Sequence, residues 1–417
     1  MTVVSDDIEL PDDLREQYRV LAAGAAQILP ADGLAERLLA ARREDRPLRV
    51  KLGIDPSGSN LTIGHAVVLR KLRDFQDFGH TAVLVVGGFT GQVGDPSGKT
   101  STRSVQSADQ VVANARGYFD QVMQILLPDR TEVVNNADWL GSMDLAGLLD
   151  YTRQLTIAQL LERDDFAKRF ASNTPISLSE FIYPLLQGID SVEIRADIEL
   201  GGTDQTFNNL VGRTLQRAKG QPPQAVLTLP LLVGIDGVEK MGKSLNNFVA
   251  INEPAAEQFG KLMRIPDTVV ELYATLATGL HPDEVAALAD EVARGGAAAN
   301  QAKRRVAREI VALYHGPEEA TAAEARFNAV FRDHQVQTDA PEFGTDLSGS
   351  VHLPALLVAA GLAASNSDAR RAIDAGSVKI DGVTHPSKVY DLDGSELADR
   401  IVAVGKRKVA RVTDSQN

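Results

Sequence analysis

A chain of 417 residues, 44% hydrophobic and 24% charged, has the composition of an ordinary globular protein and room for two to four domains. It contains no cysteine, which excludes disulfides, cysteine-ligated zinc, iron–sulfur clusters and a thiol nucleophile, and which suits a reducing compartment. Lys and Arg number 43 against 56 Asp and Glu, a net charge of −13, so any nucleic acid must be met by a local basic patch.

No apolar run reaches the roughly 18 residues of a membrane span. The acidic start, Met1 to Asp7, lacks the basic and apolar segments of a signal peptide, so a cytoplasmic location is expected. Residues 1–47 read as helical, with apolar residues at helical spacing over 14–28 and 34–43 and Pro30 as a break. Strands and helices then alternate. Strands are expected at 48–54, 81–86, 131–135, 192–200 and 225–232, and helices at 63–78, 106–126 and 205–219. This alternation predicts an α/β fold: a doubly wound parallel sheet of Rossmann-like type over 48–252, with ligands at the C-terminal strand ends. Between 138 and 176 the strand signal disappears and a helical insertion is expected. Residues 253–331 read as a helical domain and 332–349 as a polar linker. Residues 350–417 read as a small α+β unit, with helices at 353–360 and 367–375 and strands at 378–380 and 401–404.

Four segments near strand ends carry candidate chemistry. The first runs from Lys51 through Gly53, Asp55 and Ser57 to Thr62, Gly64 and His65. Here a helix N-terminus could face phosphate; a plain strand–turn–helix is the alternative. The second, Gly87 to Lys99 followed by Arg103, holds five glycines, Asp95 and two cations. It is either a cradle for a polyanion or a flexible surface loop. In the third, Tyr183, Gln187 and Asp190 fall on one helix face despite Pro184, and could line a polar pocket or a solvated surface. Close behind, Gly202, Asp204 and Gln205 open a helix, where Asp204 either holds ribose hydroxyls or caps the helix. The fourth, Gly237 to Ser244, matches the P-loop pattern formally. The following Leu245 to Asn252 suits extended chain rather than the helix a P-loop must open, so a mobile loop presenting Lys240 and Lys243 is the better reading.

Together these segments resemble the class I aminoacyl-tRNA synthetases. Their His-x-Gly-His signature stands here as Thr62-Ile-Gly-His65, and their Lys-Met-Ser-Lys-Ser loop as Lys240-Met-Gly-Lys-Ser244. Within that class, "GGFTGQVGDPSGK", "EFIYPLLQGID" and "ELGGTDQ" are similar to the bacterial tyrosyl-tRNA synthetase family, over about residues 20–412. The terminal "SNSDARRAIDAGSVKIDG" resembles an S-four-like RNA-binding domain.

The resemblance implies activation of tyrosine by ATP, which enters as its Mg2+ complex, followed by transfer to tRNA, with no tightly bound cofactor and no metal ligands in the chain. It implies that Thr62, His65, Lys99, Arg103, Lys240, Lys243 and Ser244 face the ATP phosphates. Gly53, Asp55, Ser57, Gly64, Gly202 and Asp204 would complete the ATP site. Lys51, Asp95, Tyr183, Gln187, Asp190 and Gln205 would hold tyrosine, with Asp190 on its hydroxyl. Arg370, Arg371 and Lys379 would contact tRNA, the 253–331 helices its anticodon, and the 138–176 insertion a second subunit in a homodimer. Three positions depart from the family pattern: Thr62 replaces the usual histidine, Lys51 a frequent tyrosine, and Gly242 the middle serine of the loop. They leave room for a second-copy enzyme or one that makes tyrosyl-adenylate for another pathway; a P-loop NTPase is a further alternative.

Overall fold

The computed structural model describes residues 8–55, 60–96, 118–331, 340–405 and 408–415. The chain divides into two compact units, Met1–Ala320 and Thr321–Asn417.

The first unit is built on a six-stranded sheet. Its strands are β1 (Gln27–Leu29), β2 (Arg49–Ile54), β3 (Thr81–Val86), β4 (Thr131–Asn135), β5 (Ile198–Gly202) and β6 (Ala225–Leu229), in the order β1-β6-β5-β2-β3-β4. All neighbouring pairs are parallel except β1 with β6. Five parallel strands rich in Val, Leu and Ile are what a sheet covered on both faces requires: β6 is buried throughout and β3 in all but its first residue. From β2 the chain winds outward through β3 and β4, then returns to the other side of β2 through β5 and β6. The direction of winding reverses between β2 and β5, and the C-terminal ends of these strands open a crevice there.

The helices that position this crevice are α1 (Asp12–Ala22), α2 (Gly33–Arg43), α3 (Ile63–Asp77), α4 (Thr90–Val93), α5 (Leu178–Glu193) and α6 (Thr206–Ala218). Helix α3 packs on β2, β3 and β5, and α6 packs on β5, β6 and α5. Helix α5 starts at a capping box in which Ser177 and Glu180 satisfy each other's backbone N–H groups. It continues through Pro184, which lies beyond the first turn.

Several expectations change. The N-terminal segment is not wholly helical: α1 ends at Ala22, Gly24 takes φ +73°, and Gln27–Leu29 becomes the antiparallel edge strand β1. A three-residue strand has no readable period, and its partner lies about 200 residues away. Of residues 192–197, expected in a strand, Val192 and Glu193 finish α5 and 194–197 form the turn after it, so β5 begins only at Ile198. The insertion is four short helices, Ala137–Leu140, Leu145–Thr152, Ile157–Leu160 and Asp164–Ala171. The helix expected over 106–126 is described only from residue 118. The helices between Ala255 and His315 belong to the same compact unit as the sheet. Tyr273 from this group donates to the Val233 carbonyl at 2.8 Å.

In the second unit a five-stranded sheet runs β10-β9-β12-β13-β7, from Glu342–Thr345 (β7), Val378–Ile380 (β9), Val383–Thr384 (β10), Ile401–Val404 (β12) and Lys408–Asp414 (β13). Ser350–His352 (β8) pairs separately with Asp391–Asp393 (β11). Helices Leu353–Ala359 and Asn366–Asp374 cover a core that includes Leu357, Ile373, Val378 and Val402. The expected linker is therefore partly structural. Residues 342–345 pair in parallel with β13, and Leu347 is buried in this core.

One interaction pins the crevice. Lys51 on β2 stands directly across from Glu199 on β5, and both are fully buried. The Lys51 ammonium donates to Glu199 Oε1 at 2.8 Å, Ser191 Oγ at 2.7 Å and the Gln187 carbonyl at 2.8 Å. Glu199 Oε2 accepts from Ser191 and Gln224. A satisfied buried pair adds little net stability, but removal of one partner strands a charge at a cost of about 3–5 kcal/mol. Glu199→Leu is therefore expected to lower unfolding free energy by about that amount in denaturant titrations. The double variant Lys51→Met/Glu199→Leu should recover most of the loss. A double variant as unstable as the single one would show that the pair is not the origin of the effect.

Candidate active site

A cavity of about 850 Å³ fills the crevice. At one end lies Asp190 of α5, 3% exposed, with its carboxylate among protein donors. Trp139 Nε1–H donates to Oδ1 at 2.9 Å and the Asn136 amide to Oδ2 at 3.2 Å. Burial pushes the carboxyl up to about 7, against the opposing effects of the Lys51 charge and these two donors. Each carboxylate oxygen has two lone pairs, so Asp190 retains acceptor capacity on the cavity side.

About two turns earlier on α5, Tyr183 donates its hydroxyl to Asp55 Oδ2 at 2.7 Å, and Thr90 donates to Oδ1 at 2.9 Å. Burial, then the Asp55 charge, raise the Tyr183 hydroxyl well above its ordinary value. Gln187 lies between Glu199 and Asn209. Gln205 Nε2 donates to Asp95 at 2.7 Å, and Asn208 donates to Gln205 Oε1 at 3.0 Å. This middle stretch is polar and internally bonded, so its groups are held in place before any ligand arrives.

The other end is cationic. Thr62 caps α3, and Gly64 and His65 lie in its first turn. The chain leaving the Lys240–Ser244 loop pairs with the segment entering α3: Ile63 N–H donates to the Val249 carbonyl at 2.9 Å, and Ile251 N–H to that of Leu61 at 3.0 Å. Met241 is buried, and its sulfur accepts from Gly64 N–H at 3.3 Å. These contacts hang the loop over the N-terminus of α3 and leave Lys240, Lys243 and Ser244 exposed. Lys240 reaches Asp204 at 3.4 Å, so Asp204 is an ion-pair partner on the cavity wall, not a helix cap. The loop opens no α-helix: a single 3-10 turn, Lys243–Leu245, ends at Asn246 in the left-handed conformation. That geometry removes the P-loop reading. Desolvation of its recess, then the Lys243 and Lys240 charges, lower the His65 pKa and so favour the neutral ring.

Most of the expected residues gather here. Gly53, Asp55, Thr62, Gly64, His65, Asp95, Tyr183, Gln187, Asp190, Gly202, Asp204, Gln205, Lys240, Lys243 and Ser244 all line the cavity. Lys51 does not: its ammonium is consumed beneath the floor by Glu199 and Ser191. Ser57, Lys99 and Arg103 lie outside the described residues. Arg370 and Arg371 are exposed on one helix of the second unit; Lys379, on β9, is half-buried.

The glycine-rich segment plays a different part from the expected cradle at its first two positions. A Cβ at Gly87 would lie 1.8 Å from Asp55 Oδ1, and one at Gly88 would lie 2.2 Å from Asn135 Oδ1. These glycines make room for protein side chains. Sequence reasoning missed Trp139, Asn136 and Asn247. The last is a buried brace: its Oδ1 accepts from Gly242 N–H at 2.8 Å and its amide donates to Asp236 at 2.6 Å.

Comparison with known proteins agrees with this geometry. Residues 43–332 match the family described as tRNA synthetases class I (W and Y). The chain is 45% identical over 406 residues to the tyrosine–tRNA ligase of Moorella thermoacetica, covering 97% of each. It is 46% identical over 400 residues to that of Acidithiobacillus ferrooxidans, covering 95% of this chain and 97% of the relative. Among solved structures, a truncated Aspergillus nidulans mitochondrial tyrosyl-tRNA synthetase superposes with TM-score 0.63 at 22% identity, over 76% of this chain and 93% of that one. The Archaeoglobus fulgidus enzyme, solved with L-tyrosine, gives 0.60 at 20% identity over 75% and 99%. These two likenesses speak for the fold. The chain belongs to the class I tRNA synthetases, in the family that unites the tryptophan and tyrosine enzymes.

Proposed function

We propose that the cavity binds tyrosine at its Asp190 end and ATP at its α3 end, within the activity of a tyrosine–tRNA ligase. That activity has two steps. A tyrosine carboxylate oxygen attacks the α-phosphorus of ATP, the α–β phosphoanhydride bond breaks, and pyrophosphate leaves. A terminal ribose hydroxyl of tRNA then attacks the tyrosyl carbonyl and AMP leaves. The observation that carries the assignment is the polarity of one continuous cavity. Asp190, already held by Trp139 and Asn136, offers an acceptor at one end, and Lys240, Lys243 and His65 stand at the other.

In this reading the tyrosine hydroxyl donates to Asp190. Tyr183, Gln187, Asp95 and Gln205 surround the ammonium and carboxylate, and the Asp55, Asp95 and Asp204 charges favour the ammonium. Asp204 and Gly202 hold the ribose, and Gly53 leaves space open on β2: nothing lies within 4 Å of its Cβ direction. The α3 N-terminus, Lys240 and Lys243 neutralise charge growing on the departing pyrophosphate. Magnesium arrives with ATP as part of the substrate. No protein nucleophile is required, and the chain's part is placement and charge neutralisation.

The second unit would bind tRNA through Arg370 and Arg371, and the helices after residue 253 would meet the anticodon. A homodimer is supported by apolar side chains left exposed on and around the insertion: Val133, Leu145, Leu149, Ile157, Phe170 and Leu178. Among the described residues no helix is long and apolar enough to cross a membrane. A cytoplasmic place fits the ATP and tRNA substrates.

Pyrophosphate exchange into ATP, run with each standard amino acid, tests the activity. Exchange with tyrosine far above phenylalanine is expected, and exchange independent of amino acid would overturn the reading. The pH dependence is specific. Ionised Asp190 accepts the tyrosine hydroxyl through a charge-assisted bond. With its carboxyl at about 7 in the empty site, the KM for tyrosine should rise as pH falls below 7. Between pH 8 and pH 6 the rise should be roughly tenfold, one decade per pH unit below the pKa. Asp190→Ala should bind tyrosine weakly at both pH values and discriminate poorly against phenylalanine.

Deletion of residues 340–417 should leave tyrosine-dependent exchange nearly intact, because every cavity residue precedes 245. Charging of tRNA should fall sharply with the loss of Arg370 and Arg371. Equal losses in both assays would make the second unit a support for the catalytic fold instead.

A further inference from the structure

The turn that starts α3 does more than begin a helix. Thr62 is its N-cap and His65 its third residue, and they form a reciprocal box: His65 N–H points to Thr62 Oγ1 at 3.4 Å, and Thr62 N–H points to His65 Nδ1 at 3.3 Å. The third residue of such a box is ordinarily Glu or Gln, a side chain with an oxygen acceptor. An imidazole in that place must offer a lone pair, because a backbone N–H can only donate. The Thr62 hydroxyl lies 2.7 Å from the same Nδ1, and Thr62 itself is 1% exposed. The ring is exposed to the cavity, and among the described residues Nε2 has no protein partner.

We propose that Thr62 is a positioning residue for His65, fixing Nδ1 as an acceptor so that Nε2 carries the proton and presents it to the cavity. A ring so held is a donor only on the cavity side. It suits an anionic oxygen, such as a phosphate oxygen of ATP, and cannot accept from a hydroxyl there. The charged groups about the ring act in the same sense. Lys240 and Lys243 from the loop disfavour the imidazolium, and Asp204 is drawn to Lys240. Thr62, where the family signature has a histidine, thus takes part in presenting the remaining histidine. The tautomer follows from the Thr62 hydroxyl and backbone N–H about Nδ1, independently of any ligand; its use toward ATP rests on the reading of the cavity given above.

Two measurements separate these claims. Nitrogen-15 NMR of the histidine-labelled full chain, with seven histidines and His65→Gln to assign the signal, reads the tautomer directly. The unliganded protein should show a protonated Nε2 and a bare Nδ1 above the ring's pKa. Thr62→Ser should keep that pattern. Thr62→Val should admit the other tautomer and raise the ring's pKa, since it removes a bond that only the neutral ring can accept. Thr62→Asp is the sharper variant: it caps a helix as well as threonine does, but its carboxylate accepts from Nδ1–H and should move the proton there. A bare Nε2 in the unchanged protein, or a tautomer and pKa indifferent to all three substitutions, would overturn the proposal.

The second measurement is steady-state exchange. Thr62→Val should raise the KM for ATP by about fivefold to tenfold, the loss of roughly one neutral hydrogen bond, with the KM for tyrosine unchanged and Thr62→Ser restoring the original value. An unchanged KM for ATP in Thr62→Val would leave the tautomer standing and overturn the positioning role. An unchanged KM for ATP in His65→Ala would instead overturn the assignment of this end of the cavity to ATP.

Discussion

The buried ion pair between Lys51 and Glu199 is the constraint on which the site depends. It joins β2 to β5 at the one place where the direction of sheet winding reverses, directly in register. The same ammonium holds the Gln187 carbonyl and the Ser191 hydroxyl, and so ties α5 to the two central strands. Tyr183, Gln187 and Asp190 are all carried on α5. Their spacing from Gly53 on β2 and Asp55 just beyond its end, and from Gly202 on β5, is set by this tie. An apolar core would hold the same elements together, but it would not specify their register along the strand direction. A charge pair with its remaining hydrogen-bonding capacity met by Ser191 and Gln224 has one good arrangement.

The cavity above it is organised on the same principle of prior satisfaction. Asp55 is held by Tyr183 and Thr90, Asp95 by Gln205, and Asp190 by Trp139 and Asn136. Such groups are in position before a ligand arrives, which reduces the reorganisation required at the moment of reaction. The cationic end differs. Lys240 and Lys243 stand on an exposed loop whose fixed points are Met241 against Gly64 and Asn247 at its base. Anchored loop ends with exposed cations between them, one of them paired with Asp204, would allow the charges to follow a phosphate chain as it changes shape.

Much of this was legible in the residues. Alternating strand and helix periods gave the parallel sheet, and the loops at its strand ends do line one cavity. Asp204 was open between two readings, and the ion pair with Lys240 removes the helix cap. What escaped was long-range pairing. Nothing in the 51-residue separation of Trp139 from Asp190 announces that one donates to the other. The fate of Lys51 depends on Glu199 across the sheet, and a buried lysine cannot be told from a site lysine without its partner. Gly87 and Gly88 looked like a ligand cradle because glycine reports close approach without saying what approaches. β1 was invisible because three residues carry no period. Residues 342–345 looked like linker because their polar sequence hides a parallel pairing with the end of the chain.

The most direct test is a crystal structure of the protein with a non-hydrolysable tyrosyl-adenylate analogue. The account predicts the phenolic oxygen within hydrogen-bond distance of Asp190, between the Trp139 and Asn136 donors, with the ribose beside Asp204 and the phosphate mimic facing the first turn of α3. Lys51 should remain on Glu199, without contact to the analogue. An analogue bound in the reverse direction, or a Lys51 ammonium turned into the cavity to meet the phenol, would contradict it.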